Sequence, residues 1–181
     1  VAYANGAYPY LNGNAQSLMH ADQANFGRIG LTWTKSTTSP PSFRFLPIHA
    51  SYSDTGPTAW GHGTDPEILF ALCALMNSRP FEYLLALSLG LAAEGRKHYE
   101  IGIVNKNPIP DISKNTRELL SVLSQEYWCL KRSIDTTVET SHAFVLPANL
   151  RARGGNYDPQ AIEAELAEIQ SQIDAIACDL Y

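Results

Sequence analysis

Between residues 27 and 62 the apolar positions come in short runs, notably Ile29-Gly-Leu-Thr-Trp33 and Phe43-Arg-Phe-Leu46. They sit in a stretch, 1 to 62, rich in Gly, Asn, Ser, Thr, Pro and aromatic residues, so short strands joined by turns are predicted. The pattern then changes. Asp65-Pro66 offers an N-cap and a first helical residue for an apolar run from Ile68 to Met76. Asn77-Ser78-Arg79-Pro80 interrupts that run, because a proline disfavours helical geometry in the residue before it, and Phe81 to Ala93 resumes it. A hydrophobic helix pair is expected.

After a short charged loop from Glu94 to His98, Tyr99-Glu-Ile-Gly-Ile-Val104 alternates like a strand and Asn107-Pro-Ile-Pro110 ends it. Caps within Ser113-Lys-Asn-Thr116 precede a long helix over about 116–136, with Leu119, Leu120, Leu123, Tyr127 and Leu130 at helical spacing. Residues 142–158, with Pro147 and Gly154-Gly155, read as an extended connector. Asp158-Pro159 caps and starts the most regular segment of the chain, in which Ile162, Leu166, Ile169, Ile173, Ile176 and Leu180 recur at alternating spacings of four and three. That narrow coiled-coil-like seam suits docking on another helix, first of all the helix at 116–136, and second a partner.

Composition adds limits. The 181 residues suffice for one domain with a real core, and the 45% hydrophobic and 17% charged fractions are those of a folded globular chain. Cys73, Cys129 and Cys178 are odd in number, far apart and set in helical patterns, so they read as reduced core thiols of a cytoplasmic protein and not as a disulfide or zinc framework. No run approaches a bilayer span, and a start at Val1 in a polar, aromatic stretch suggests a fragment whose upstream part carries much of the function. The net charge of −5 counts against a nucleic-acid binder. Residues 159–181, however, hold five acidic side chains and no basic one, which leaves 13 basic and 13 acidic residues in 1–158. The body is neutral.

Catalytic chemistry finds little support. Gly61-His-Gly-Thr-Asp65 supplies only two metal-ligand types, and a turn before a helix explains it better. Ser51-Tyr-Ser-Asp54 lacks a nucleophile elbow, and Asp54-Thr-Gly56 is a single aspartic-protease-like triplet where two carboxylates are needed. Gly27-Arg-Ile-Gly30 has no phosphate-loop ending. Asn107-Pro-Ile-Pro110 has Ile109 and Pro110 where an adenine methyltransferase needs a proline and a base-stacking aromatic. For DNA binding the candidates are Arg28, Lys35, Arg44, Arg96, Lys97 and Lys106, beside Trp33, Phe43, Phe45, Tyr99 and Asn105. Lys131-Arg132 and Arg151-x-Arg153 read as helix-surface and connector charges within reach of a duplex backbone.

Five segments taken in order carry a resemblance. They are Gly30-Leu-Thr-Trp33 with Phe43-Arg-Phe-Leu-Pro47, the turn Ser53-Asp-Thr-Gly-Pro57, the helix pair of Leu72-x-x-Leu-Met-Asn-Ser78 and Phe81-x-Tyr-Leu-Leu85, Tyr99 to Val104 with the exit through Pro108 and Pro110, and the closing Ile173-Asp-Ala-Ile-Ala177 with Asp179-Leu-Tyr181. Together they resemble the C-terminal target-recognition region of adenine-specific (N6) DNA methyltransferases of type II restriction-modification and phage-exclusion systems.

The resemblance implies an α+β fold: a twisted mixed β-sheet recognition domain with packed helices, then long C-terminal helices forming an antiparallel helical hairpin. The expected division is an unassigned segment at 1–26, a recognition core at 27–115, a long helix at 116–141, a connector at 142–158 and a heptad-patterned helix at 159–181. It implies double-stranded DNA and a catalytic methyltransferase domain or subunit as partners, with S-adenosylmethionine bound upstream and no catalytic group, cofactor or metal in this chain. The family's base-reading residues lie in variable loops, so the resemblance assigns none of them. Helical docking, including self-association, is the alternative reading; an enzyme built on His62, Asp65 or His98 is the third.

Overall fold

The computed structural model describes residues 28–48, 50, 55–60, 65–90, 95–155 and 157–181. Readings that fall on 1–27, His49, 51–54, 61–64 and 91–94 lie outside them. The fold is α+β, a small antiparallel sheet beside several helices that include a long C-terminal one.

Strand β1 (Gly30–Thr32) lies between β3 (Arg44–Leu46) and β4 (Thr58–Trp60), and β2 (Ser36–Thr37) pairs with β5 (Lys97–His98). Every described pair is antiparallel, where a mixed sheet was expected. Antiparallel neighbours need only short connections, whereas parallel ones need a crossover of a dozen or more residues. Alternation sends Leu31 and Trp33 inward, each almost fully buried. Gly30 admits β4 on the other face: a Cβ there would meet the Ala59 carbonyl at 2.7 Å and the Trp60 ring at 2.9 Å.

Helix α1 (Pro66–Met76) starts as its sequence dictates, with the Asp65 carboxylate accepting from the Glu67 N–H at 3.0 Å and Pro66 in the first turn. It stops at Asn77, and α2 (Arg79–Leu89) leaves at 65° to it. Gly90, at φ 81°, closes α2. Asn77 then ties sheet to helix. Its Oδ1 accepts from the Phe43 N–H at 2.9 Å while its Nδ2 donates to the Phe43 carbonyl at 2.8 Å, so one side-chain amide pairs with Phe43 as a strand neighbour would.

The expected strand at 99–104 is a helical turn, α3 (Ile101–Val104). The Tyr99 N–H donates to the Lys35 carbonyl at 2.7 Å and extends the β2–β5 pairing by one residue. The Trp33 indole then donates to the Tyr99 carbonyl at 2.8 Å, and the ladder ends. From there Tyr99, Ile103 and Val104, spaced as on a helix, face one core with Trp33, Phe43, Phe81 and Leu85.

Helix α4 (Lys114–Asp135) begins at Ser113, whose Oγ accepts from the Thr116 N–H at 3.2 Å. The connector is not extended throughout: Pro147 starts a short helix, α5 (Ala148–Arg153). Helix α6 (Pro159–Leu180) has its first N–H groups capped by Asp158. Its heptad seam does pack on α4, but the most extensive helix contact is between α4 and α1, where Ala71, Ala74, Ser121 and Ser124 allow close approach. Ala71, Ala74, Leu75, Leu120, Leu123, Ile169, Ile173 and Ala177 form the largest apolar cluster. The start of α6 lies by the end of α4, with the Tyr157 and Thr137 hydroxyls 3.3 Å apart, and the Tyr181 hydroxyl donates to the Pro108 carbonyl at 3.1 Å.

A carboxylate joins α6 to α2. Ser78 makes no side-chain cap, and instead Asp174 of α6, nearly buried, accepts from the Arg79 N–H at 2.9 Å and pairs with its guanidinium at 3.2 Å. A negative group at a helix N-terminus satisfies an orphan donor and the helix dipole together. Two of the three cysteines depart from expectation. Cys73 is buried, but Cys129 and Cys178 are exposed, because each lies one position off its helix's buried stripe. No single helix among the described residues is long and apolar enough to cross a membrane.

Candidate nucleic-acid interface

The segment leaving β1 is pinned on both sides. The Trp33 N–H donates to the Pro57 carbonyl at 3.2 Å, Thr34 to Pro41 at 3.0 Å and Lys35 to Thr55 at 3.4 Å. Four of the six basic candidates lie on or next to the strands around this frame. The Arg44 guanidinium donates to the Thr34 hydroxyl at 3.1 Å, one residue from Lys35. Across the β2–β5 pair, Lys97 stands opposite Thr37 and His98 opposite Ser36, with Arg96 next in line. Paired strands are only about 4.8 Å apart, so Lys97 lies diagonally across the β2–β5 pair from Lys35. Arg44, reaching over from the other sheet to Thr34, comes beside Lys35; Arg96 is one residue further along and alternates to the other face. Arg44 and Arg96 are exposed, Lys35 and Lys97 half-buried.

The other two candidates stand apart from this group. Gly30 is level with Leu46 and Trp60, while Thr32 is level with Arg44 and Thr58, so Arg28 extends from the opposite end of β1. Lys106 is exposed beyond α3, its N–H donating to the Ile103 carbonyl at 3.3 Å.

The aromatic neighbours of these cations do not face outward with them. Trp33, Phe43 and Tyr99 are buried in the core, with ring centroids 5.6 Å apart for Trp33 and Phe43, so they cannot stack on a base. Phe45 stacks on Phe70 at 4.5 Å. Burial, reinforced by the charge of Glu82, pushes the Tyr99 phenol above its ordinary value. It stays a neutral donor.

One group the sequence did not single out belongs here. Glu100 lies with its carboxylate 3.5 Å from the Lys35 ammonium, its side chain 54% exposed against 22% for the lysine. Nothing in the local pattern signals this pair, because 65 positions separate its members and only the Tyr99 to Lys35 hydrogen bond brings them level.

The remaining chemistry-bearing residues have structural partners. The Asn107 Nδ2 donates to the Ile103 carbonyl at 2.8 Å and its Oδ1 accepts from the Ser88 hydroxyl at 3.1 Å, so this residue fastens α3 to α2. Burial pushes the Cys73 thiol up to about 11, which keeps it protonated and unreactive at neutral pH. Asp65 is the cap of α1. Arg151 donates to the Ser133 carbonyl and the Thr136 hydroxyl at the end of α4 and lies over the Tyr157 ring. Lys131 and Arg132 lie over Tyr127 and Trp128 on α4. Among the described residues no three His, Cys, Asp or Glu side chains converge where a metal ion could sit.

Comparison with protein-family models, with curated proteins and with solved structures finds no match for this chain.

Proposed function

We propose that this chain is a sequence-specific recognition module for double-stranded DNA, the target-recognition domain of an adenine-N6 DNA methyltransferase or restriction enzyme. In this reading it has no catalytic residues of its own, and a separate methyltransferase domain or subunit holds S-adenosylmethionine. The observation that supports it is that Lys35, Arg44 and Lys97, from three segments of the chain, are brought near one another by the β2–β5 pairing and the Arg44 to Thr34 hydrogen bond, with Arg96 one residue beyond. Lysine and arginine so placed neutralise phosphates, and their hydrogen-bonded backbone fixes a register on a duplex.

Binding by a module of net charge −5 is weak and salt-sensitive, and the catalytic partner supplies further phosphate contacts. Fluorescence anisotropy of a labelled duplex, titrated with salt, tests the reading. Four neutralised phosphates give a slope of about −3 to −4 in log K against log salt. Arg44→Ala and Lys97→Ala each lower its magnitude by about 1, while Arg28→Ala leaves it unchanged. Absence of binding at low salt, or a slope indifferent to Arg44 and Lys97, removes the reading.

A second reading, helical docking, rests on a different observation. In this reading α4 and α6 form an antiparallel hairpin whose connector end presents Val138, Phe144, Val145, Leu146 and Leu150, all exposed. Exposed large apolar side chains this numerous in one short segment are a feature of protein contact sites. The two readings are compatible, since a recognition module must attach to its catalytic partner.

A further inference from the structure

A carboxylate beside Lys35 weakens attraction for phosphate, yet Glu100 is held there by the fold. The Tyr99 N–H bonds the Lys35 carbonyl at 2.7 Å, and the Trp33 indole bonds the Tyr99 carbonyl at 2.8 Å, so Glu100 and Lys35 share one locked stretch of backbone. Their charged ends lie 3.5 Å apart, both in reach of solvent. Arg44 bonds the residue before Lys35, and Lys97 and Arg96 follow the paired strand. Arg44 and Lys97 therefore lie near Lys35 and suit phosphates, while the pair itself offers a cluster of donors next to an acceptor.

The major-groove edge of a G·C pair has the complementary order. Guanine N7 and O6 accept, and the cytosine N4 amino group beside them donates. An ammonium spans the two guanine acceptors, and a carboxylate takes the cytosine donor. We infer that Lys35 and Glu100 together read one G·C base pair, with Lys35 on guanine N7 and O6 and Glu100 on cytosine N4. This inference rests on the DNA-recognition reading and adds a base and two residues to it. The Glu100 side chain precedes α3 without capping it.

The test is selection of bound duplexes from a pool of randomised double-stranded DNA at low salt, using the full chain, Glu100→Ala and Glu100→Gln. Melting curves show whether both variants retain the parent fold. The parent chain enriches a motif with one invariant G·C position. Glu100→Ala relaxes that position alone, on the order of tenfold in preference, and the flanking positions persist. Glu100→Gln moves the same position toward A·T, because a side-chain amide pairs with adenine N6 and N7. A merely structural role for Glu100 would lower binding evenly and change no letter of the motif. The inference is overturned by a motif that both variants leave intact, by an even loss across it, or by A·T at that position in the parent. If the parent enriches nothing and binds no duplex, the DNA-recognition reading falls and this inference with it.

Discussion

The helical cluster around Leu75, Leu120 and Ile173 and the aromatic cluster around Trp33, Phe43 and Phe81 are both buried, but they are assembled by different means. In the first, three helices present apolar stripes whose spacing is written in each segment, and small residues on α1 and α4 let them close up. In the second, polar groups set the geometry: an indole, an amide side chain and backbone N–H groups bridge residues 66 and 34 positions apart. The candidate interface sits on the second region, where hydrogen-bond directions hold side chains in place. Packing alone tolerates small shifts, whereas a recognition surface needs its groups held to a fraction of an ångström.

The largest tests of this contrast remove a core side chain from each region. Leu120→Ala should cost about 2–5 kcal/mol and Phe81→Ala about 3–5 kcal/mol in denaturant unfolding, since both side chains are fully buried. Asp174, reaching from α6 to the start of α2, links the two regions, so one transition is expected in each variant. Two separate transitions would divide the molecule and void the comparison as drawn.

Cys73 gives a pH-dependent test at the seam, where its thiol donates to the Phe43 carbonyl at 3.4 Å. Burial raises it from 9.0 to about 11 in the folded chain, so the unfolded chain loses the proton first. The stability it contributes is complete below pH 9 and lost as the pH rises to 11, on the order of 3 kcal/mol at most. Comparing the alkaline slope of unfolding free energy with that of Cys73→Ala isolates this share. Equal slopes would mean that water reaches the thiol and that the seam is open.

Asn77→Ala should have the smallest effect on stability, about 1–2 kcal/mol from the loss of its bonds to Phe43 and Cys73. Its local effect is sharper. Hydrogen exchange at the Phe43 amide should quicken while amides in α6 change only with the global loss. Unchanged exchange at Phe43 would show that apolar packing holds the strand without the amide.

Particular residues show how far the sequence is legible. Asp65-Pro66, Ser113 and Asp158-Pro159 announce their helix starts within one or two positions, because capping is a contact between near neighbours. Tyr99 to Val104 misleads, since its alternation over six residues suits a strand while its spacing of 99, 103 and 104 suits the helical turn that the Trp33 core selects. The same holds for the interface. Its cations are legible as residue types, but their grouping is not, nor is the separation of Arg28 from it.

By itself, then, the amino-acid order determined what acts over one or two turns of chain: the caps, the break at Asn77 to Pro80 and the heptad seam of α6. Tertiary structure alone decided what depends on distant partners: that Asn77 pairs with Phe43, that Asp174 caps α2, and that Glu100 meets Lys35. The physical reason is range. Capping and periodicity are enforced by bonds a few residues long, whereas a charge or amide finds a partner 34 to 95 positions away only after the cores have closed.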